Sequence, residues 1–534
     1  MSEKEYVVTL NKGVDYAQFN QEMIASTGAG DIPNRTVDVA DARPKSTRNT
    51  HYALTDAEAE TLRNDGRVTD VQLRPDLRDD IEIGIQAIQT ADFTKSTSSS
   101  GNRRDWGKIR HSFTENVYGT GTSLGGNYNR PYSMDGTGVD IVIQDSGLQV
   151  DHPEFNDADG NSRVQLIDWY AASGVTGSQN ANHYRDYHGH GTHCGGTATG
   201  LNFGWAPNAR VYVVKVAGLE GSGDGGTGIS TSSCFDVIKG WHQNKPVDPK
   251  TGLKRPTIVN ASWGYSSAVS SGFSGTISSV VYRGTTYSDS NDPSFSATPN
   301  SHMRDTYGIY PYYANGAYRI PIRLDSVDAD VQDCIDAGVH VCIAAGNNSF
   351  KADIATGDDY NNIVFYGGFY NRNYHRGSSP FDEGANMVGC TDMTPENATT
   401  ERKTSFSTTG PGVSIFAAGE YIISTSSNTN QIGGTSYFGN SSFKQQTISG
   451  TSMASPQVCG VGALYLQADP SLSPAQLKSK LEKDSLSVLK DESNLTNYGD
   501  TTDICGGNNR MLFNRYNRAL PFSSNIYGLQ KKNR

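Results

Sequence analysis

The sequence lacks several features that mark common classes of protein. Its 534 residues contain only seven cysteines and no C-x-x-C pair, so neither a disulfide framework nor a structural zinc site is indicated. No apolar run approaches about 18 residues, which excludes a predicted transmembrane helix and membrane insertion. The net charge of −11 argues against a protein that binds nucleic acid or an anionic membrane through its bulk charge.

The N-terminus also lacks a secretory signal. Its first residues, MSEKEYVVTLNKG, contain no apolar segment of the kind that such a signal requires. Together with cysteines that are expected to be free thiols, this predicts a cytoplasmic, non-classically exported or virion-associated protein. Glycine, in contrast, is abundant, with 58 residues, which favours a fold with many tight turns over a helical bundle.

Residues 1–78 have the pattern of a small α+β domain. Strand-like and helical segments follow one another in the order βαββαβ, which is the split βαβ pattern. Residues 79–103 then lose this periodicity and end in KSTSSSG, a composition typical of a flexible linker that proteases can reach. We therefore expect an N-terminal domain, a linker that holds a processing site, and a larger domain over residues 104–534.

The larger domain is predicted to be an α/β fold with a doubly wound, mostly parallel sheet. Helical segments alternate with β-branched runs that are apolar along nearly their whole length, as in strands buried on both faces. Ligands of such folds bind beyond the carboxyl ends of the strands. Residues 265–330, rich in Ser, Tyr, Gly and Asn, interrupt the alternation and predict a large surface insertion. The four runs are VDIVIQDSG, ARVYVVKVAG, PTIVNASWG and GVHVCIAAGN.

Four polar residues lie next to these elements in a combination that predicts a catalytic site. Asp145 ends the strand VDIVIQ, His190 lies in HGHGTH, Asn347 follows VCIAAG, and Ser452 precedes an apolar helix in SGTSMASP. Each alone is usually a cap or a packing residue. Together they supply a nucleophile, a base, a carboxylate that orients the base, and a donor for an oxyanion. Pro456 is expected in the first turn of the helix, where a missing N–H is tolerated.

These segments resemble the sequence blocks of the subtilisin-like serine proteases, the subtilases, whose triad follows the chain order Asp, His, Ser. VIQDSGLQVDHPEF is similar to the Asp block of the family, HGHGTHCGGT to its His block and GTSMASP to its Ser block. AAGN resembles the oxyanion block. Cys194 after H-G-T-H, together with RDWGKIRH, indicates the proteinase K branch. The resemblance implies the catalytic roles of Asp145, His190, Ser452 and Asn347 given above.

The resemblance also implies secondary sites. IVNASWG resembles the segment that pairs with an extended substrate, which assigns substrate binding to Ser262, Trp263 and Gly264. Trp263 could line a specificity pocket or simply pack. Glu154 occupies a place where many subtilases bind calcium. The resemblance implies no cofactor for catalysis, and it allows structural calcium.

Residues 1–78 resemble the subtilisin propeptide, particularly in DAEAETLRNDGRVTDVQLRPD. In the family this domain is a folding chaperone and an inhibitor, which the enzyme then removes. The expected partners are therefore protein or peptide substrates and the chain's own N-terminal domain.

The sequence thus predicts a serine endopeptidase that acts through an acyl-enzyme and processes its own N-terminal domain. The alternative is a structural or assembly protein that retains a subtilase fold, with no proteolysis or only self-directed proteolysis. The insertion leaves this alternative open, because it could cover the cleft, narrow the specificity or bind a partner.

Overall fold

A computed structural model of the chain describes fifteen stretches of the sequence, which divide into two compact units, Met1–Ala87 and Ile88–Arg534. The described stretches are residues 2–11, 13–25, 28–41, 48–73, 89–94, 106–116, 127–174, 176–216, 233–249, 251–269, 277–295, 299–310, 318–366, 370–492 and 501–517.

The first unit is a four-stranded antiparallel sheet with two helices, in the strand order β2-β3-β1-β4. Asp15 caps the first helix, and Thr55 forms a capping box with Glu58 at the second, so both helices begin where the sequence supplies a cap. The βαββαβ prediction is confirmed. The elements are β1 (Lys4–Leu10), α1 (Tyr16–Ile24), β2 (Val39–Asp41), β3 (Asn49–Leu54), α2 (Asp56–Leu62) and β4 (Val68–Leu73).

The predicted linker contains one strand. Strand β5 (Gln89–Thr94) pairs antiparallel with β6 (Asn127–Tyr132). The prediction of an aperiodic linker over 79–103 is therefore wrong for this stretch. Its partner strand lies far along the chain, so no local pattern marks the pairing. Residues 74–88 and 95–105, which include most of the region expected to be processed, lie outside the described residues.

The second unit alternates strands and helices along most of its length. Its remaining elements are α3 (Trp106–Arg110), β7 (Asp140–Asp145), β8 (Val164–Gln165), α4 (Trp169–Ser173), α5 (His190–Thr199), β9 (Arg210–Lys215), α6 (Ser233–Gln243), β10 (Thr257–Ala261), β11 (Ser266–Val269), β12 (Ile277–Tyr282), β13 (Thr285–Tyr287), α7 (Pro299–Tyr307), β14 (Tyr318–Pro321), α8 (Asp325–Asp336), β15 (His340–Ala344), β16 (Ile363–Tyr366), β17 (Tyr370–Asn373), β18 (Asn386–Thr391), β19 (Ile415–Ala418), β20 (Ile422–Ser426), β21 (Thr435–Tyr437), β22 (Asn440–Ile448), α9 (Thr451–Ala468) and α10 (Pro474–Asp484).

A seven-stranded parallel sheet forms the centre of this unit, in the order β19-β18-β15-β10-β7-β9-β8. The four predicted strands are its central four, and β7, β10 and β15 are buried at every position. Helices α5 and α9 contribute to the core on one face, around Trp205 and Leu464, and α6 and α8 to the core on the other, around Phe235 and Val331. The doubly wound α/β fold is confirmed. Among the described helices, none has the length and apolar composition needed to cross a membrane.

The predicted insertion is not a self-contained unit. Strand β12 pairs with β13 and also with β16, and β16 pairs with β17, so the small sheet combines residues inside and beyond 265–330. Its hydrophobic core likewise joins Met303 and Tyr307 to Val364 and Tyr374. Helix α8 begins at Asp325 and packs on the parallel sheet, a few residues before the end predicted for the insertion at about 330.

Candidate active site

Three neighbouring strands of the parallel sheet deliver polar residues to one edge. Asp145 is the last residue of β7, Ser262 follows β10, and Asn347 lies just beyond β15. These strands are adjacent and parallel, so their carboxyl ends lie at the same edge. Helices α5 and α9 begin beside this edge with His190 and Thr451, and Ser452 is the second residue of α9.

His190 and Asp145 form a hydrogen-bonded pair. The His190 Nδ1–H donates to Asp145 Oδ1 at 2.8 Å, which leaves Nε2 as the acceptor nitrogen of the ring. Asp145 is fully buried, whereas 21% of the His190 side chain remains exposed. Burial is the largest single influence and favours the neutral ring, but the charge and hydrogen bond of Asp145, together with the contact with Cys194, outweigh it and hold the pKa of His190 well above its ordinary value.

The buried carboxylate of Asp186 joins the loop after β7 to the start of α5. Its Oδ1 accepts hydrogen bonds from Ser146 Oγ at 3.0 Å and from the Gly189 N–H at 2.7 Å. Its Oδ2 accepts two from Thr192, at 2.9 Å from the backbone N–H and 2.6 Å from the hydroxyl. Ser146 Oγ in turn accepts a bond from the Gly191 N–H at 2.8 Å. This network holds together the two loops that carry the Asp–His pair.

The carbonyl of Ser452 is satisfied by side chains rather than by the helix. Pro456 lacks the N–H that would normally reach this carbonyl four residues earlier. Ser262 Oγ donates to it at 2.9 Å, and Cys194 Sγ at 3.4 Å. The expectation that Pro456 lies in the first turn is wrong, because α9 begins at Thr451 and the proline is inside the helix. Its missing N–H is tolerated because two neighbouring side chains replace it.

A chain of polar contacts also holds the Ser452 side chain. Ser452 Oγ donates to the carbonyl oxygen of Ser262 at 3.1 Å. The Ser262 hydroxyl accepts a bond from Asn260 Nδ2 at 2.9 Å, and Asn260 Oδ1 accepts one from Ser455 Oγ at 2.8 Å. Strand β10 and helix α9 are thereby linked on either side of the nucleophile candidate.

The Asn347 side chain is oriented by Thr451. Its Oδ1 accepts hydrogen bonds from both the Thr451 N–H and the Thr451 hydroxyl, each at 2.8 Å. The Nδ2 group therefore points the other way. A methyl group placed on Gly450 would lie 3.3 Å from Asn347 Nδ2 and 3.6 Å from the Ser452 nitrogen. Glycine at 450 keeps open the space that these two N–H donors share.

A cavity of about 240 Å³ lies beside these groups. The segments Ser262–Ser266 and Ala344–Asn348 line it, together with Ser452. Within the described part of the chain, the backbone N–H and C=O groups of Trp263 and Gly264 make no hydrogen bond, so an extended peptide could pair with them.

The Trp263 side chain is packed, and the residue belongs to the lining of the cavity. Its indole N–H donates to Gln144 Oε1 at 3.2 Å, and its ring contacts Phe235 and Tyr265. Only 9% of the residue is exposed. The packing role that the sequence left open for Trp263 is therefore observed, and its role in a specificity pocket stays a prediction.

Comparison with known proteins agrees with this geometry. The model of the subtilase family matches residues 136–504. The chain belongs to the subtilase family. Subtilisin-like protease 9 of Arthroderma otae is 26% identical over 366 residues, which cover 68% of this chain and 60% of that protein. Subtilisin-like protease 8 of Trichophyton verrucosum is 27% identical over 419 residues, 74% of this chain and 61% of that protein.

The chain thus spans about 60% of the length of these curated relatives. Among solved structures, a cold-adapted subtilisin-like serine proteinase is 24% identical, and the match covers 77% of this chain and 97% of that chain with a TM-score of 0.44.

In this subtilase, Glu154 does not fit a calcium site. Its Oε1 accepts hydrogen bonds from Asn202 Nδ2 at 2.6 Å and from the Tyr437 hydroxyl at 2.5 Å. Its Oε2 accepts two backbone N–H groups, from Asn202 at 2.7 Å and Phe203 at 3.2 Å. Both oxygens of the buried carboxylate are therefore occupied by protein donors, which gives Glu154 a structural role and leaves the calcium expectation without support.

The thiol of Cys194 lies beside the His190 ring. Among the described residues, Asp145, His190 and Cys194 form one group whose potential metal-ligand atoms lie within 4.8 Å of one another. The hydrogen bond to Asp145 already engages His190 Nδ1, and Cys194 Sγ lies 3.9 Å from that nitrogen. Burial raises the pKa of Cys194, so the thiol stays protonated, which makes it a poor ligand and nucleophile. All seven cysteines are free thiols, as expected.

Sequence reasoning missed two kinds of residue in this subtilase. The sequence motifs do not single out Asp186; its position four residues before His190 in a Gly- and His-rich loop was the available signal, and that position is equally typical of a residue that holds a turn or packs. Asn260 and Ser455 lie inside the quoted segments IVNASWG and GTSMASP, but no local pattern marks their contact, because it joins a strand and a helix 195 residues apart.

Proposed function

We propose that this subtilase is a serine endopeptidase that cleaves protein or peptide substrates through an acyl-enzyme. The observation that carries the proposal is the 2.8 Å bond between His190 Nδ1 and Asp145, which leaves Nε2 free to accept a proton at the edge of the sheet where Ser452 lies. A buried Asp–His pair of this kind is the standard means of activating a serine hydroxyl.

In the proposed reaction, Ser452 Oγ attacks the substrate carbonyl and His190 Nε2 takes its proton. The hydroxyl first leaves the Ser262 carbonyl oxygen, to which it donates at 3.1 Å without substrate. Such catalytic bonds often form fully only in the substrate complex. His190 then passes the proton to the leaving amine, and Asp145 stabilises the charged ring throughout. A water molecule hydrolyses the acyl-enzyme by the same steps in reverse order.

The negative oxygen that forms during attack is assigned to Asn347 Nδ2 and the Ser452 N–H. Support comes from Thr451, whose two donors hold Asn347 Oδ1 and so direct the Nδ2 group away from them. Support also comes from Gly450, which leaves the space between both donors open. Donors fixed in advance stabilise developing charge without reorganisation.

The N-terminal domain is proposed to be an inhibitor and folding chaperone that the enzyme removes by cutting in the region 79–103. Support comes from its βαββαβ fold and its own hydrophobic core, which includes Phe19, Met23 and Tyr52. A parallel sheet depends on non-local pairing and folds slowly, so a template is useful.

The test is to express the full chain and its Ser452→Ala variant and to treat both with a fluorophosphonate probe. We expect the wild type to take up one probe and to lose about 8–11 kDa from its N-terminus, at roughly 110 Da per residue. The variant should do neither. A wild-type chain that stays unlabelled and full-length, also after a protease nick in the linker, would favour a structural protein. Labelling without shortening would retain the enzyme and remove the propeptide proposal.

A further inference from the structure

The first described residues after the region expected to be processed are buried in the second unit. Helix α3 and the two residues that follow it form the segment Trp106–Ser112, called here the α3 segment. Trp106 is 2% exposed, and Lys108, Arg110 and His111 are no more exposed than that. Charged side chains are almost never buried to this extent unless the surrounding protein holds them. The α3 segment is therefore part of the protein interior.

Two residues of the α3 segment bind distant parts of the same unit. The Arg110 guanidinium forms a buried ion pair with Glu401. His111 Nε2 accepts a hydrogen bond from the Ala418 N–H at 2.8 Å, and the His111 carbonyl accepts one from the Asn514 N–H at 2.8 Å. Burial lowers the pKa of His111 to about 3, so the ring stays neutral and keeps its acceptor nitrogen. The α3 segment is thus held in one position.

The Trp106 ring belongs to a core beside the proposed base and nucleophile. One hydrophobic cluster joins Trp106 to Cys194 and Met453. Cys194 Sγ lies 3.9 Å from His190 Nδ1 and donates to the Ser452 carbonyl at 3.4 Å. Met453 follows Ser452 in helix α9. The core that contains the indole therefore supports residues that contact or adjoin both proposed catalytic groups.

Hydrogen bonds also connect the indole to the turn before Ser452. The Trp106 Nε1–H donates to the Glu420 carbonyl at 2.9 Å. The carbonyl of the preceding residue, Gly419, accepts a bond from the Gly450 N–H at 2.9 Å. Gly450 is the N-cap residue of α9. A displacement of Glu420 and Gly419 would therefore be passed to Gly450 and to the start of the helix that carries Ser452.

We propose that Trp106 is a positioning residue for the reaction, acting through Cys194 on the base and through Gly450 on the nucleophile. The inference rests on the proposed function, because it assumes that His190 and Ser452 are the reacting pair. A misplacement of about 1 Å between reacting groups can lower the rate about 10²-fold, even when its cause lies far from the chemistry. The same role limits processing, since the cut that removes the N-terminal domain has to leave Trp106 on the enzyme.

The test is the variant Trp106→Gly in the full chain, with kcat and KM measured on a peptide substrate per active site counted by the fluorophosphonate probe. We expect kcat to fall by about 10- to 100-fold with little change in KM, because the reacting groups are misaligned while the substrate cavity is untouched. Added indole should bind in the space that the side chain leaves and restore most of the lost kcat, since apolar cavities accept aromatic molecules that fit them.

The matched control is Trp169→Gly. Trp169 is fully buried in the separate core that contains Val214 and Phe235. This variant should also lose thermal stability and regain it with indole, but it should keep the wild-type kcat per active site. A wild-type kcat per active site in Trp106→Gly would overturn the inference. Indole that raises the melting temperature of Trp106→Gly without raising its kcat would overturn it as well.

If Trp106→Gly does not fold, Trp106→Phe decides, because it keeps an aromatic ring and removes only the N–H that donates to the Glu420 carbonyl. It should lower kcat by a smaller factor, and a wild-type kcat would again contradict the role of Trp106.

Intact mass of the processed wild type gives an independent test. Its first residue should lie at or before Trp106, and a fully active chain that begins later would overturn the inference. A wild type that neither takes up the probe nor cleaves the peptide overturns the proposed function itself. A labelled and active wild type whose Trp106 variants keep full kcat removes only the role of Trp106.

Discussion

The parallel sheet and the insertion reach the same cavity from separate hydrophobic cores. The sheet is built from strands such as β7 and β15, in which every residue is buried, and their ends carry Asp145 and Asn347. The insertion is held by a core rich in tyrosine, including Tyr307 and Tyr374, and its residue Arg319 belongs to the lining of the cavity. The proposed catalytic residues thus lie at the ends of the sheet strands, whereas the insertion reaches the cavity from an element with its own core.

The largest effect is expected from a change in the parallel sheet, Asp145→Asn. An amide cannot hold His190 in the tautomer that leaves Nε2 free, so kcat should fall by about 10⁴-fold. The charge that raises the pKa of His190 would also be lost, and burial would then dominate and lower it. Because the base acts in its neutral form, the rising limb of kcat/KM against pH should move to lower pH.

The control is Asp159→Asn, at an exposed acidic residue in the turn before β8, which should leave both kcat and the rising limb of the pH profile unchanged. The measurement is kcat and kcat/KM as a function of pH, on purified protein whose active sites have been counted with the fluorophosphonate probe. If Asp145→Asn retained wild-type kcat, or if its rising limb moved to higher pH, the proposed base and its orienting carboxylate would be wrong.

The second effect on the sheet side concerns the oxyanion donor. Asn347→Leu removes the Nδ2 donor and should lower kcat by about 10²–10³-fold with little change in KM, because the donor acts mainly in the transition state. Asn348→Ala changes the neighbouring residue of the cavity lining and should affect mainly KM. Equal losses in kcat for the two variants would show that the cavity lining, and not a specific donor, is responsible.

Much of the structure of the parallel sheet could be predicted from the sequence, because each of its central strands is marked by a local sequence pattern. Each central strand is an apolar run with a polar residue at its end, and β7 and β15 place Asp145 and Asn347 accordingly. The N-terminal βαββαβ order was also readable, since Thr55 and Glu58 mark a helix start directly. The pairing of Asp145 with His190 followed from the resemblance, and the structure gives its distance.

The rest depends on contacts between distant parts of the chain. Strand β5 has no local signal, since it is defined by its pairing with β6. The insertion shares its core with residues beyond 330, so its sequence alone could not reveal its extent. The position of Pro456 inside a helix could not be predicted for the same reason. Side chains from other parts of the chain, Ser262 and Cys194, donate to the carbonyl that the proline leaves without a helical partner.

The smallest effect is expected in the core of the insertion, and it tests the comparison most directly. Met303 is 1% exposed in that core, and Met387, on β18 beside the strand that leads to Asn347, is 3% exposed. Either change to alanine should cost about 2–5 kcal/mol of local packing and lower the melting temperature. Met303→Ala should nevertheless leave kcat for a peptide substrate within about twofold of the wild type, because the proposed catalytic groups lie on another core.

Met387→Ala is the matched variant, since it removes a similar buried side chain under the sheet and should lower kcat as well as stability. Active sites are counted with the fluorophosphonate probe, so that kcat refers only to folded enzyme. If Met303→Ala lowered kcat for the peptide substrate as much as Met387→Ala does, the insertion and the sheet would act as a single unit. The two cores could then not be treated as independent, because a loss of packing in either would reach the proposed catalytic residues.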